Sequence, residues 1–313
     1  MSKWVLPFLR RRLYSTPSSL DVEALDNWIA SPKQLILRDT FSLERLSDLY
    51  ITLPTRDGSK SPYHAPQISA SLGYGSHLAF FHPRNPERDL RTDGTDADFC
   101  PPKPWTRRMW AGGHMSWDLQ NPLRIGETAM STSTVRSVEK KGFDKGSPMV
   151  FVNQKIEVAM VGQGRSSVVE ERTHVYLADS IAGNKAPRDV KGIPSTADFT
   201  FTFTPTLTTL FRFSALTFNG HHIHLDKDYA QLQEGYPERL VHGPLTALML
   251  LEVAMLQKPT AKIARFDYRA RNPIIVNRPM RIAGAWKDEY HAILWCMNDE
   301  GVVGMTGAIQ LAY

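Results

Sequence analysis

The segment His242-Gly-Pro-Leu-Thr-Ala-Leu-Met-Leu-Leu-Glu-Val-Ala-Met-Leu-Gln257 is apolar on nearly every side of a helix. Between its proline and its last residue, only Thr246 and Glu252 are polar. Proline suits the first turn of a helix, and Lys258-Pro259 ends this one. A helix without a polar face must be buried. The sequence therefore predicts a long helix over residues 244–257 that the rest of the fold encloses.

The start of this helix offers a site for a developing negative charge. Backbone N–H groups at a helix start lack intrahelical partners and lie at the positive end of the helix dipole. The N–H of Gly243 can therefore hold a carbonyl oxygen that gains negative charge during a reaction. We expect His242, immediately before it, to position this donor.

A histidine-rich segment, Asn219-Gly-His-His-Ile-His-Leu-Asp226, lies just upstream, and its last histidine precedes His242 by eighteen positions. Imidazoles titrate near neutral pH, so this cluster beside an amide suits proton transfer. Solvation of an ordinary surface loop is the competing interpretation. Asp226 either fixes the tautomer of a neighbouring histidine or caps the next helical turn.

Cysteine usage and composition exclude several classes of protein. The only cysteines are Cys100 and Cys296, and neither His-Glu-x-x-His nor Cys-x-x-Cys spacing occurs, which argues against a metal site. Two distant cysteines also favour a reducing compartment over a disulfide framework. With 313 residues, 42% hydrophobic and 22% charged, the chain fits a soluble globular protein with a sizeable core. No apolar run approaches the roughly eighteen residues of a membrane span.

The histidine-rich segment and the helix start together resemble a known family. Phe213-Ser-Ala-Leu-Thr-Phe-Asn-Gly-His-His-Ile-His-Leu-Asp226, followed by Val241-His-Gly-Pro-Leu245, is similar to the hydratase motif of MaoC-like hot-dog proteins. Within these, fungal mitochondrial 3-hydroxyacyl-thioester dehydratases of type 2 are the nearest group, and bacterial mesaconyl-CoA hydratase-like proteins are near relatives. Upstream, Arg107-Arg-Met-Trp-Ala-Gly-Gly-His114 and Pro122-Leu-Arg-Ile-Gly-Glu127 resemble the N-terminal half of the same proteins. The resemblance covers most of the chain from about Leu49 onward.

The resemblance implies a reversible hydration. Such enzymes add water to a trans-2-enoyl thioester, or remove it from a (3R)-3-hydroxyacyl thioester, without a metal or redox cofactor. The family pattern is Ser-Gly-Asp-x-Asn-Pro-Ile-His, whose aspartate and histidine share the catalytic water. His224 falls on the histidine, Asn219 on the aspartate, His221 on the asparagine and His222 on the proline. This chain thus keeps the motif's histidine and has an amide where the wider family has an acid.

An amide accepts no proton at neutral pH, so Asn219 is expected only to orient a group by hydrogen bonding. The predicted catalytic residues are His224 as the base, Asn219 as the orienting amide and Gly243 as the oxyanion donor. The predicted substrate-binding residues are His221, His242, Trp110 and Arg269. The changed motif leaves a second interpretation open, a catalytically silent hot-dog protein that binds acyl thioesters or scaffolds partners. A mesaconyl-CoA-type hydratase of a short dicarboxylic acyl-CoA is a further alternative.

A thioesterase of the same fold is a weaker alternative. Such enzymes attack the carbonyl carbon with water and usually use an acidic residue on the central helix. Glu252 is the only acid in this helix and lies more than two turns from Gly243, too far to cooperate easily with the oxyanion donor.

The predicted architecture is α+β, a tandem or double hot-dog in which an antiparallel sheet wraps the long buried helix of the C-terminal repeat. Three strand-like segments with turns between them, Pro122–Glu127, Met149–Val158 and Gly164–Tyr176, predict one sheet. A second trio near the C-terminus, Pro279–Gly284, Tyr290–Met297 and Gly301–Ala312, repeats the scheme. We expect a degenerate N-terminal hot-dog repeat over residues 21–190 and a catalytic repeat over 191–313.

The N-terminal repeat is expected to lack the long helix and the histidine motif. Its candidate helix near Ile68–Phe81 is broken by Gly73 and Gly75. The proline-rich connection from His82 to Trp105 is long enough to roof an acyl pocket. Three tryptophans are candidates either to line that pocket or to pack as plain core: Trp105, Trp110 and Trp117.

The N-terminus predicts delivery to the mitochondrial matrix. Residues 1–20 contain Lys3, Arg10-Arg-Arg12 and several serines but no acid, which is typical of a presequence with cleavage near residue 14. A short secretory signal is the alternative, although the apolar core is brief. Cleavage after Tyr14 would remove four positive charges and reduce the formal net charge from +5 to about +1. Nucleic-acid binding then loses its main support.

The expected partners are thioester substrates carried on CoA or on acyl carrier protein, with no nucleic acid and no membrane span. Both carriers are acidic, so two arginine clusters are candidates to receive them, although a solvated charged face is the alternative. These are Arg107-Arg108 and the group Arg265, Arg269 and Arg271. A homodimer is possible in this fold, and so is a tandem chain that is sufficient alone.

Overall fold

The computed structural model describes residues 21–178 and 186–312, so the predicted presequence lies outside the described part of the chain. The helices are α1 Val22–Ala30, α2 Leu43–Thr52, α3 Leu207–Leu216, α4 His222–Leu225 and α5 Gly243–Gln257. The strands are β1 Gln34–Thr40, β2 Trp105–Trp117, β3 Thr128–Lys141, β4 Met149–Met160, β5 Val168–Ala178, β6 Phe199–Phe203, β7 Ile263–Ala270, β8 Met280–Trp286, β9 His291–Asn298 and β10 Val303–Leu311.

The ten strands form one antiparallel sheet, which consists of two halves of five strands with the same topology. Its order is β1-β3-β4-β5-β2-β7-β10-β9-β8-β6. Read from each outer edge to the centre, both halves follow the same path: first strand, third, fourth, fifth, second. The halves join where β2 pairs with β7, with Gly113 opposite Tyr268. This repeated topology confirms the predicted tandem α+β fold, and we propose the division into residues 21–190 and 191–313 on the same ground.

The centre of the second half is the long helix α5. Every residue from Leu245 to Ala254 is buried, and the helix packs against β6, β8, β9 and β10. The helix predicted over residues 244–257 is confirmed, and it begins one residue earlier because Gly243 already has helical geometry. An apolar helix held in the curve of an antiparallel sheet is the arrangement that the hot-dog resemblance implies.

Within residues 21–178, the first half has no long helix at the equivalent place. Only a single 3₁₀ turn, Ser76–Ala79, forms there, and all four of its residues are buried. Gly75 enters this turn with φ +80, and a Cβ on it would lie 2.9 Å from a methyl carbon of Leu251. The turn is thus pressed against α5, and the prediction of a degenerate first repeat is confirmed.

The strand predicted over Pro122–Glu127 is wrong. Residues 122–127 form a turn with a single bridge between Arg124 and Ser71, and β3 starts only at Thr128. Gly126 has φ +85, a left-handed conformation that interrupts an extended strand. The other predicted strands are present with shifted ends. No helix in the described ranges combines the length and apolar character needed to cross a membrane.

Candidate active site

His224 is held so that one ring nitrogen is left to accept a proton. It lies in the short helix α4, and its Nδ1 donates a hydrogen bond to the carbonyl of Leu240 over 2.8 Å. A carbonyl can only accept, so Nδ1 carries the proton and Nε2 has the free lone pair. Burial lowers the pKa of His224 to about 4, and the nearby charge of Arg108 also lowers it. The imidazole is therefore neutral at cellular pH and able to act as a base.

His242 stacks on His224 and brings the start of α5 to it. The two ring centroids are 3.7 Å apart and the ring planes are inclined by 22°. His242 is the residue before the first helical residue, Gly243, and only 1% of it is exposed. Its Nε2 hydrogen-bonds the hydroxyl of Ser214 over 2.9 Å. Because burial also lowers the pKa of His242 well below its ordinary value, the stacked pair is uncharged.

Asn219 shapes the loop that presents the histidines. Its side-chain oxygen accepts a hydrogen bond from the backbone N–H of His221 over 3.1 Å. Its own backbone N–H donates to the carbonyl of Ser214 over 2.8 Å. The amide oxygen thus forms a local turn of the kind that asparagine favours.

His221 is buried beside His224 and faces an acid from the first half of the chain. The His221 and His224 rings are nearly perpendicular, with centroids 5.4 Å apart. His221 Nε2 lies 3.9 Å from a carboxylate oxygen of Asp93, which belongs to the connection before β2. Burial, and next the proximity of His224, lower the pKa of His221 well below its ordinary value. His221, His224 and His242 therefore form a buried cluster of neutral imidazoles.

Gly243 is placed against an aromatic side chain of the first half. A Cβ at this position would lie 2.6 Å from Cε3 of Trp110, so only glycine fits. Trp110 stacks on Tyr268 with ring centroids 4.4 Å apart and an interplanar angle of 11°. Tyr268 is itself fixed because its hydroxyl donates to the buried carboxylate of Glu170 over 2.9 Å. The start of α5 is therefore positioned by strands from both repeats.

The predicted carrier-binding arginines differ in their surroundings. Arg107 forms an ion pair with the buried carboxylate of Glu234, with its Nε 2.8 Å from a carboxylate oxygen. Arg265 pairs with Asp267, and Arg271 donates to the hydroxyl of Thr306. Arg269 is exposed on β7, opposite Gly112 of β2. The partner of Arg269, Gly112, follows Trp110 by two positions on β2, so Arg269 lies near Trp110. Arg107, in contrast, links the two halves of the chain through Glu234.

Trp105 and Asp226, for which the sequence left two roles open, both have structural roles. Trp105 is 1% exposed and packs in a core cluster with Leu25 and Tyr176, so it is core rather than pocket lining. Asp226 accepts a hydrogen bond from the backbone N–H of Tyr229 over 3.1 Å and so caps the next turn. Within residues 21–178 and 186–312, no group of three or more His, Cys, Asp or Glu side chains is arranged to hold a metal ion.

The acid on the central helix is fully committed to an ion pair. Both carboxylate oxygens of Glu252 accept hydrogen bonds from Arg56, over 2.5 and 2.7 Å, and Thr55 donates a third over 3.2 Å. Glu252 is only 5% exposed. A carboxylate held this way, far along the helix from Gly243, is not available as the base of a thioesterase.

Sequence reasoning missed four residues of this site: Asp93, Ser214, Leu240 and Tyr268. Ser214 lies within the family-like motif, but nothing in the pattern indicates its bond to His242. Leu240 takes part only through its backbone carbonyl, which no side-chain pattern reports. Asp93 and Tyr268 come from distant parts of the chain. Backbone contact between two loops places Asp93 at the site, and the pairing of β2 with β7 places Tyr268 beside Trp110.

Comparison with known proteins shows the family to which the chain is similar. A family model described as hydroxyacyl-thioester dehydratase type 2 matches residues 75–276. A mesaconyl-C(4)-CoA hydratase of Chloroflexus aurantiacus is 36% identical over 252 residues, covering 80% of this chain and 87% of that protein. A mitochondrial hydroxyacyl-thioester dehydratase type 2 of Schizosaccharomyces pombe is 31% identical over 240 residues, covering 68% and 77%.

The fold has solved counterparts as well. The crystal structure of a MaoC-like dehydratase from Phytophthora capsici superposes with a TM-score of 0.65, at 14% identity, over 92% of this chain and 97% of that one. At this identity the likeness concerns the fold alone. It confirms the hot-dog architecture that the strand order indicates.

Proposed function

The chain belongs to the hydroxyacyl-thioester dehydratase type 2 family, and we propose that its hydration chemistry runs on one base, His224. The protein is a hydro-lyase, so the reaction is the reversible addition of water to an enoyl thioester. The remaining site residues hold the thioester and the water.

In the dehydration direction, Nε2 of His224 takes the proton from carbon 2 of a (3R)-3-hydroxyacyl thioester. The electron pair moves onto the thioester oxygen as an enolate, which the N–H of Gly243 stabilises at the start of α5. The enolate then forms the carbon 2–carbon 3 double bond as the hydroxyl leaves with the proton from His224. Water and a trans-2-enoyl thioester result, and His224 is neutral again. Hydration is the same path in reverse.

One observation carries this proposal: the stacking of His224 on His242 at 3.7 Å. It places a neutral base against His242, the residue that precedes the first residue of α5. Because Nδ1 is bound to the Leu240 carbonyl, the free nitrogen of the base is unambiguous. A developing enolate near Gly243 would also stabilise the imidazolium that forms transiently, which a buried site otherwise disfavours.

The other predicted residues are proposed to bind substrate without moving protons. Asn219 keeps the histidine loop in shape, and His221 contacts the water from the side opposite His242. Trp110 forms the wall beside the thioester. Arg269, exposed on the same sheet, is proposed to attract the acidic carrier, whether CoA or acyl carrier protein.

We further propose that the enzyme works in the mitochondrial matrix, in type II fatty acid synthesis. The relative from Schizosaccharomyces pombe is named as mitochondrial, and residues 1–20 have the composition of a presequence. The tandem chain already contains both hot-dog units, and a homodimer of such chains is the assembly proposed.

A second candidate is hydration of a short dicarboxylic acyl-CoA. The observation in its favour is the 36% identity to a protein named mesaconyl-C(4)-CoA hydratase. The two candidates share the base and the oxyanion donor and differ only in the acyl group. A comparison of substrates therefore separates them.

The decisive assay follows two signals on the protein that lacks its first fourteen residues. Saturated-tail trans-2-enoyl-CoA substrates of several lengths, the same acyl groups on carrier protein, and mesaconyl-CoA are supplied in turn. Hydration removes the conjugated thioester absorbance without releasing free thiol. Thiol release would instead identify a thioesterase, and silence with every substrate would identify a binding protein.

Replacement of the base tests its role directly. His224→Ala should lower kcat by at least about a hundredfold, as expected for loss of a general base. His64→Ala, at an exposed position, is the matched control and should keep full activity. A mild effect of His224→Ala would move the base to His221 or His242.

A further inference from the structure

We infer that Asp93, in the connection before β2, is a positioning residue of the hydration site that sets the tautomer of His221. The inference rests on the proposed function, because it concerns how the water is held there. In this role, a residue of the first repeat orients a histidine of the second repeat.

The backbone around Asp93 is fixed against the histidine loop. The backbone N–H of His222 donates to the carbonyl of Asp93 over 2.9 Å. At Gly94, with φ +79, a Cβ would lie only 2.3 Å from the carbonyl oxygen of Gly220. The two loops are therefore in direct backbone contact, and the position of Asp93 relative to His221 follows from that contact.

The Asp93 carboxylate is buried, and its two oxygens have different surroundings. It is 5% exposed. Oδ1 accepts two hydrogen bonds from Thr95, over 3.0 Å from the backbone N–H and 2.7 Å from the hydroxyl. Oδ2 accepts no hydrogen bond within the described part of the chain. It lies 3.9 Å from Nε2 of His221 and 3.5 Å from Arg91.

A buried carboxylate oxygen without a hydrogen bond is costly, and the ion pair of Oδ2 with Arg91 does not supply one. Other charged and titratable groups around His221 are Arg91, Arg108, His222, His224 and Tyr229. Asp93 is the acid within ion-pair distance of this ring. Distances between catalytic groups are often long in an unliganded site and shorten when substrate binds. We therefore expect Oδ2 to accept the Nε2 hydrogen of His221 in the working enzyme.

The consequence is a specific way of holding the water. With its proton on Nε2, His221 offers Nδ1 as an acceptor, and His224 offers Nε2. A water that donates one hydrogen to each imidazole turns an oxygen lone pair towards carbon 3 of the enoyl group. The side-chain oxygen of Asn219 already accepts the backbone N–H of His221, and this bond holds it in the turn of the histidine loop.

Asp93→Asn tests the inference because the replacement has the same shape. The two donors of Thr95 keep the amide oxygen at the Oδ1 position, so the amide nitrogen takes the place of Oδ2. It donates where the carboxylate accepted, and this moves the proton of His221 to Nδ1. We expect kcat to fall by about 10- to 100-fold, the usual effect of losing a group that orients an imidazole. KM should change less than about threefold. Loss of the ion pair with Arg91 lowers the melting temperature, so kcat is compared at a temperature at which both proteins are folded.

The matched control is Asp89→Asn, which makes the same charge change at an exposed position in the same connection. It should leave kcat unchanged. If Asp93 serves only to bind Thr95, then Asp93→Asn will behave like this control, and that result would overturn the inference.

A second measurement needs no variant. The ¹⁵N chemical shifts of His221 in the parent protein should show hydrogen on Nε2, and in Asp93→Asn they should show it on Nδ1. Hydrogen on Nδ1 in the parent protein would refute the inference even if Asp93→Asn failed to fold. If the parent protein hydrates no enoyl thioester, the proposed function fails, whereas the tautomer still decides the role of Asp93.

Discussion

At the scale of single residues, two atoms define the candidate site: Nε2 of His224, which is left to accept a proton, and Oδ2 of Asp93, which accepts no hydrogen bond within the described residues. The Leu240 carbonyl fixes the proton of His224 on Nδ1, and Ser214 binds Nε2 of His242. Neither contact requires a charge. A backbone carbonyl and a hydroxyl thus orient these two imidazoles, a role that a carboxylate often has beside a catalytic histidine.

The pH dependence of the reaction follows from the burial of His224. Its pKa is lowered to about 4, and only the neutral form accepts a proton. As the pH falls, kcat/KM should therefore stay level through pH 6.5 and decline only around pH 4. Stopped assays from pH 3.5 to 8, with activity recovered after return to pH 7 as the check on unfolding, measure this. An acid limb centred near 6.5 would mean that the base is a solvated histidine.

At the scale of elements, the helix α5 serves both stability and function. Its side chains from Leu245 to Ala254 fill the core of the second half, while its first residue, Gly243, directly follows the His242 ring that stacks on His224. The sequence alone predicted this helix because the segment has no polar face. It also predicted that the first repeat lacks such a helix, since Gly73 and Gly75 interrupt the corresponding segment.

The packing of α5 predicts a large stability difference between two leucines. Leu250 is fully buried, whereas Leu256 near the helix end is 44% exposed. Leu250→Ala should lower the free energy of unfolding by about 2–5 kcal/mol, from lost burial and the cavity that remains. Leu256→Ala should cost about 1 kcal/mol or less, since little apolar surface is lost. Urea unfolding of the two variants gives the comparison, and equal losses would show that α5 is not the centre of the core.

The error at residues 122–127 also belongs to this scale. The alternating pattern of Pro122–Glu127 resembles the start of a strand, but Gly126 takes a left-handed conformation and forms a turn. A Cβ on Gly126 would lie 2.7 Å from Cδ1 of Ile68. Periodicity reports which face is apolar and does not report backbone handedness at one glycine.

At the scale of the whole molecule, the two repeats share one sheet and one site. The β2–β7 join carries a buried group of side chains in which Glu170 accepts hydrogen bonds from Arg172 and Tyr268. Trp110 stacks on Tyr268 and meets the start of α5. The first repeat therefore lacks the long helix, but its Trp110 packs against the start of α5.

This shared centre predicts that the molecule unfolds as one unit. Tyr268→Phe leaves the buried Glu170 carboxylate without one donor and should cost about 1–3 kcal/mol. The whole urea transition should shift to lower concentration with an unchanged slope, and tryptophan fluorescence and circular dichroism should coincide. Tyr63→Phe, at an exposed tyrosine, is the control. Two separated transitions would contradict a continuous core across the join.

The sequence by itself determined the local features of this protein. An all-round apolar segment had to become a buried helix, and a family-like motif identified the histidine segment whose loop the Asn219 turn shapes. The tertiary structure alone decided that Asp93 lies beside His221 and that Trp110, stacked on Tyr268, lies against Gly243. Asp93 and His221 are 128 positions apart in the sequence, and the backbone hydrogen bond from His222 to Asp93 holds their two loops together. Hydrophobic periodicity records which face of an element is buried, but not which distant element covers it.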